Sequence, residues 1–100
     1  MKKGDIVSVV TVSGEYVGEY KDISPTSITL TNPKMIVSTP EGGMGFARGI
    51  AVTGDLNPTE VTFASYVFVI PTNPQVAEAH NQAVNGAPVI ATPPEKKIII

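Results

Sequence analysis

The sequence predicts a mainly β protein, a small barrel of five bent strands followed by one short C-terminal helix. Three observations carry that expectation. Segments rich in β-branched residues follow one another from Asp5 to Ile70, several of them alternating with period two. Gly18 stands inside an otherwise regular strand, and the apolar phase slips by one near Ala64–Ser65; both mark a backbone that bends sharply. After Pro71 the period changes to that of a helix.

Taken in order, "DIVSVVTVS" (Asp5–Ser13) has almost no polar face and reads as a strand buried on both sides. Gly14 begins a tight turn. In "EYVGEYKDI", Tyr16, Gly18, Tyr20 and Asp22 fall on one face and Val17, Glu19, Lys21 and Ile23 on the other. "SPT" supplies a proline turn, and "SITLTN" alternates as a half-buried strand. "NPKMIVSTP" continues extended after Pro33, readable as the same strand beyond a kink. "EGGMGFARG" is a glycine-rich centre, and "GIAVTG" reads as a short strand ending in the turn "GDLNP". "TEVTFASYVFVI" is the strongest β signal. Val61 and Phe63 are odd-numbered while Tyr66, Phe68 and Ile70 are even, so one long strand, bent near Ala64–Ser65, serves both walls of a barrel.

Asn73 suits an N-cap, Pro74 the first helical position and Gly86 the stop, giving a helix of about three turns with an apolar stripe of Val76, Ala79, His80, Ala83 and Val84. "APVIATPPEKKIII" reads as an extended tail. The chain thus divides into a barrel domain over 1–72, the helix over 73–86 and the tail over 87–100.

The 100-residue length fits one domain with a modest core, of a size at which a small β protein leans on subunit contacts. With no Cys, disulfides, thiolate metal sites and a cysteine nucleophile are excluded. No apolar run approaches the roughly 18 residues that span a bilayer. Asp5 interrupts the basic and apolar start, so that start reads as a strand rather than a leader, and a cytoplasmic setting is the default. Four of the seven basic residues lie at the chain ends. Between Gly4 and Glu95, Lys21, Lys34 and Arg48 face nine acids, a net charge of −6. That balance counts against strong, general nucleic-acid binding, though not against a few focused contacts repeated around a ring.

Little in the chain points to catalysis. "GGMGF" lacks the Gly-Lys-Ser/Thr ending of a phosphate loop. His80 is the one histidine, without a second His, a Cys or a spaced carboxylate, which speaks against a metal site or a general base. No nucleophile–base pair is visible, so the expectation is a non-enzyme without cofactor or metal. Tyr16 and Tyr20 share a strand face, where packing competes with base stacking. Asp22 reads from its place in the turn as the cap of an Asx-type turn. Arg48, isolated in the glycine-rich segment, reads either as an interface ion pair or as a contact to phosphate or base.

The succession of a strand, a turn at Ser13-Gly14, a second strand with Gly18 inside it, the turn "DISPTS" and the strand "ITLTNP" resembles the first motif of the Sm-like (LSm) fold. Asp22 stands at the place of that motif's aspartate, whereas the family's asparagine has no counterpart before Asn32. "FARGIAV" (Phe46–Val52) resembles the second motif, in which an apolar residue and Arg-Gly precede a short final strand. A strong strand follows that motif where the family would be finishing. Either "TEVTFASYVFVI" supplies the fourth and fifth strands and "FARG" lies in an enlarged loop, or the barrel has an added strand. The general pattern is also similar to small Sm-like proteins of marine bacteriophages.

The resemblance implies a bent, five-stranded antiparallel Sm-like barrel whose edge strands pair between subunits to close a homo-oligomeric ring. It implies single-stranded RNA as a partner, bound around the pore by Asp22, Arg48 and Gly49. The alternative is a structural or protein-interaction ring that keeps the barrel without the RNA site. The tail ending in Ile98–Ile100 suggests a docking peptide, either for a groove of its own assembly or for another protein. No membrane partner is expected.

Overall fold

A computed structural model describes residues 1–47 and 49–85. Six strands and a helix follow in order: β1 (Ile6–Thr11), β2 (Gly14–Ile23), β3 (Ser27–Ser38), β4 (Met44–Phe46), β5 (Glu60–Ala64), β6 (Phe68–Pro71) and α1 (Pro74–Val84). All strand pairs are antiparallel, in the order β4-β3-β2-β1-β6, with β5 also paired to β3.

The β1–β2 hairpin turns on a side chain. Thr11 Oγ1 accepts from the backbone N–H groups of Ser13 and Gly14, at 3.1 and 3.2 Å, and so ends the strand. Val12 therefore lies in the turn, fully exposed, and the first strand is shorter than the expected Asp5–Ser13. Its centre is buried on both sides as expected: Val7 and Val9 face one core, while Ser8 faces the other side and its hydroxyl bonds that of Thr72 at 2.8 Å.

Beyond the hairpin, β2 and β3 bend together. Their register shifts between Val17 and Glu19 and again between Tyr20 and Asp22. Gly18 sits at the first shift, where a Cβ would stand 3.0 Å from Leu30 Cβ and 3.2 Å from Pro33 Cα. The missing side chain is what lets the strands approach there. Opposite it, β3 runs unbroken through "NP", with Asn32 in the left-handed region at φ 51°. The kink expected at Pro33 is thus made by Asn32, a residue type that tolerates this conformation.

β5 pairs with the first half of β3 (Ser27–Thr31) and β4 with the second (Ile36–Ser38), while β6 pairs with β1. The segment Glu60–Pro71 therefore serves two walls, and its break at Ser65, with φ 72°, falls where the phase slip placed it. Backbone bonds from Ser65 N–H to Thr26 C=O (2.8 Å) and from Val67 N–H to Val10 C=O (2.7 Å) fix the crossing. Its span also shows that the sheet curves. In a flat sheet β5 and β6 would lie four strand spacings apart, about 19 Å, whereas four peptide units reach at most about 14 Å.

The sheet nevertheless stays open, because β5 and β6 do not pair with each other. A closed barrel of five strands is therefore corrected to a curved, six-stranded antiparallel sheet. The sixth strand is β4, and residues 47–59 connect it to β5. The expected strand in "GIAVTG" is not one. Gly49–Gly54 forms bends and turns, and Val52 is fully exposed, because neither Ile50 nor Val52 has a strand to pair with.

Two clusters form the core, one on each face. Val7, Val9, Ile28 and Leu30, with Tyr20, Phe63, Tyr66 and Val69, fill the inside of the curve. Val17, Phe46 and Val76, with Ile6, Ile36, Ala79 and Ala83, join the other face to α1. Asn73 caps α1 as its position predicts, its Oδ1 accepting from Val76 N–H at 2.9 Å, and Pro74 begins it. Among the described residues no helix is long and apolar enough to cross a membrane. The Gly86 stop and the tail, including Ile98–Ile100, lie outside the described residues.

Candidate functional site

Asp22 lies at the end of β2, where the second register shift frees the strand from strict alternation. The residue is exposed, and its Oδ1 accepts from the Ile23 N–H at 2.9 Å, a local turn-type contact. The turn that follows is built from hydroxyls. Ser24 Oγ and Ser27 Oγ are 2.9 Å apart, and Ser24 N–H donates to Ser27 C=O at 2.8 Å. One carboxylate oxygen of Asp22 is thereby committed to the backbone while the side chain stays open to solvent. That geometry is compatible with a turn cap and with a ligand contact.

The glycine-rich connection leaves β4 beside the far half of β3, where Ala47 N–H donates to Met35 C=O at 2.8 Å. It returns at the kink, where Asn32 N–H donates to Thr59 C=O at 2.8 Å and Lys34 Nζ donates to Asn57 Oδ1 at 3.3 Å. Gly49 takes φ 81°, a left-handed turn that carries the chain against Asp55 and Leu56. Arg48 lies outside the described residues. Asp22 is opposite Thr29 and the connection starts beside Ile36, seven positions along β3. No hydrogen bond or ion pair among the described residues brings Asp22 and Gly49 together.

The surrounding charge is largely engaged. Lys21 Nζ meets Glu60 Oε1 at 2.7 Å across β2 and β5, an exposed pair that contributes little to stability. Lys34 is held by Asn57 as above. Glu19 Oε2 accepts from the side-chain amide of Asn32 at 3.3 Å. The two internal lysines thus point at partners within the chain.

Of the tyrosines, Tyr16 is buried, its ring 4.7 Å from that of Phe63 at a 45° tilt, and Tyr20 packs on the inner core. Both serve packing rather than presenting a stacking face. A cleft of about 400 Å³ opens between the β1–β2 turn and β5, lined by Thr11, Val12, Ser13, Thr62, Phe63 and Ser65, without a charged group. His80 is fully buried on the sheet-facing side of α1, where its Nε2–H donates to Asn32 C=O at 2.7 Å. Among the described residues no cluster of His, Asp and Glu could hold a metal ion. Asn32 is the residue that sequence reasoning passed over. It anchors the kink, the connection to β5, Glu19 and the helix together, and the signal for it was the Asn-Pro pair inside a strand.

Compared with protein-family models, with curated proteins and with solved structures, the chain matches none of them.

Proposed function

We propose that the chain is an Sm-like protein that assembles into a homo-oligomeric ring and binds single-stranded RNA at the loops carrying Asp22, Arg48 and Gly49. The observation that carries this reading is the doubly used segment Glu60–Pro71, bent at Ser65, with β5 on β3 and β6 on β1. It wraps a short sheet tightly, and among the described residues it leaves the outer edges of β6, β5 and β4 without a partner strand. On β6, Phe68 and Ile70 are half exposed. Free apolar edges invite pairing with another chain. Head-to-tail pairing of unlike edges around a closed ring removes them all.

A pore lined by repeated arginines would bind phosphates through few contacts per subunit, which an acidic chain can supply. Such binding weakens as salt rises. The test is binding of oligo-U and oligo-A at low and raised salt, with Arg48→Ala alongside. Salt-sensitive binding that Arg48→Ala abolishes is the expected result. No binding at low salt removes the RNA part of the reading.

A second reading is favoured by the engagement of Lys21 with Glu60 and of Lys34 with Asn57. In it the ring is a structural or protein-interaction assembly, and the same absence of RNA binding, with the ring intact, is what it expects.

A further inference from the structure

The ring of His80 lies on the helix-covered face of the sheet. It is fully buried. Its Nε2 lies 2.7 Å from the Asn32 carbonyl oxygen, which can only accept, so Nε2 carries a proton and Nδ1 is bare in the neutral ring. Nδ1 is also buried and has no hydrogen-bond partner among the described residues. The ring stands edge-on to Phe46, with centroids 6.4 Å apart and planes at 85°. Neutral, it satisfies Asn32 and tolerates its apolar surroundings. Protonated, it would hold a second N–H with no acceptor among the described residues, and a charge with little to solvate it.

The charges around the ring pull in opposite directions. Glu19 on β2 favours the cation and Lys34 on β3 opposes it. β1 and β4 carry no charged residue, and the single charge of α1 itself, Glu78, is exposed. On the connection, the Asp55 carboxylate accepts from Asn57 N–H. Burial outweighs the help of Glu19 and of the Asn32 bond, and sets the imidazole below its ordinary pKa.

We propose that His80 is an acid-sensitive latch: neutral, it pins α1 to the kink of β3 through the Asn32 carbonyl, and its protonation releases the helix from the sheet. The release has two consequences. It uncovers Val17 and Phe46, each 1% exposed beneath the helix. It also removes one of the bonds that hold Asn32, the residue to which the connection from β4 is tied through Thr59. The docked state binds fewer protons than the undocked one, because its imidazole titrates lower. The contribution of the latch is therefore complete above about pH 6.5, the value of a free imidazole, and is lost as pH falls below it.

As the chain has one histidine, its ring resonance is unambiguous. The experiment follows that resonance by NMR from pH 8 to pH 4 and records amide exchange over the same range, corrected for intrinsic rates. The ring is expected to titrate below 6.5 in the docked state. The opening constant of α1 is expected to rise about tenfold per pH unit between the free and docked values, while β1 and β2 keep their protection. His80→Gln, which retains an N–H donor and does not titrate, is expected to flatten that rise. A ring that titrates at or above 6.5, helix protection that is independent of pH, or the same pH-dependent opening in H80Q would each overturn the latch. The titration and exchange of the unaltered protein decide the matter even if H80Q does not fold.

Discussion

Gly18 and Asn32 together set the bend. At Gly18 an added methyl would press on Leu30 Cβ at 3.0 Å and on the Pro33 backbone at 3.2 Å, and a backbone cannot step aside as a flexible side chain can. Gly18→Ala should therefore cost about 1–3 kcal/mol, as overpacking does, read as a lower denaturation midpoint with an unchanged slope. Asp22 makes the opposite claim. It is exposed, and among the described residues its side chain makes one hydrogen bond, to the next amide along the chain. Asp22→Ala should change stability by no more than about 0.5 kcal/mol. A loss of RNA binding in that variant would then report on binding and not on folding.

The helix and the edge strand can be tested separately. Asn73 satisfies Val76 N–H at the start of α1, so Asn73→Ala should cost about 1 kcal/mol and raise amide exchange in the first turn. Just past β6, Thr72 N–H donates to Ile6 C=O at 3.1 Å. Bonding alternates along an antiparallel pair, so Ile70 and Phe68 turn their N–H groups toward β1, while Val69 and Pro71 face outward. Pro71 fits there because it has no donor to lose. Val69→Pro should keep the β1–β6 bonds, remove the outward donor, and lower the assembled mass measured by sedimentation equilibrium. An unchanged mass would mean that β6 is not the joining edge. How far these elements can be read from sequence follows from which interactions are local. The cap at Asn73, the glycine at the bend and the phase slip at Ser65 announce themselves through neighbouring residues. The strand expected in "GIAVTG" (Gly49–Gly54) fails because its apolar residues do not meet a partner, and β4 goes unforeseen because three residues hold no period. Of the candidate site, the turn around Asp22 is legible, but its distance from Gly49 depends on where β3 kinks, a tertiary fact.

For the whole molecule, the first quantity to know is the solution mass. A mass of several subunits is expected if the outer edges of β6, β5 and β4 pair between chains; a monomer would remove the ring from both functional readings. The three-residue crossing at Ser65–Val67 carries a consequence for how such a chain folds. The hairpins β1–β2 and β2–β3 join neighbours in sequence, whereas β6 must find β1 across more than fifty residues, as Val9 opposite Val69 shows. Loop closure of that length is entropically costly and slow. Once β5 lies on β3, however, β6 is already delivered to within a few residues of β1. One search then completes two walls, and refolding should show a single slow step in which both strands gain protection at the same rate.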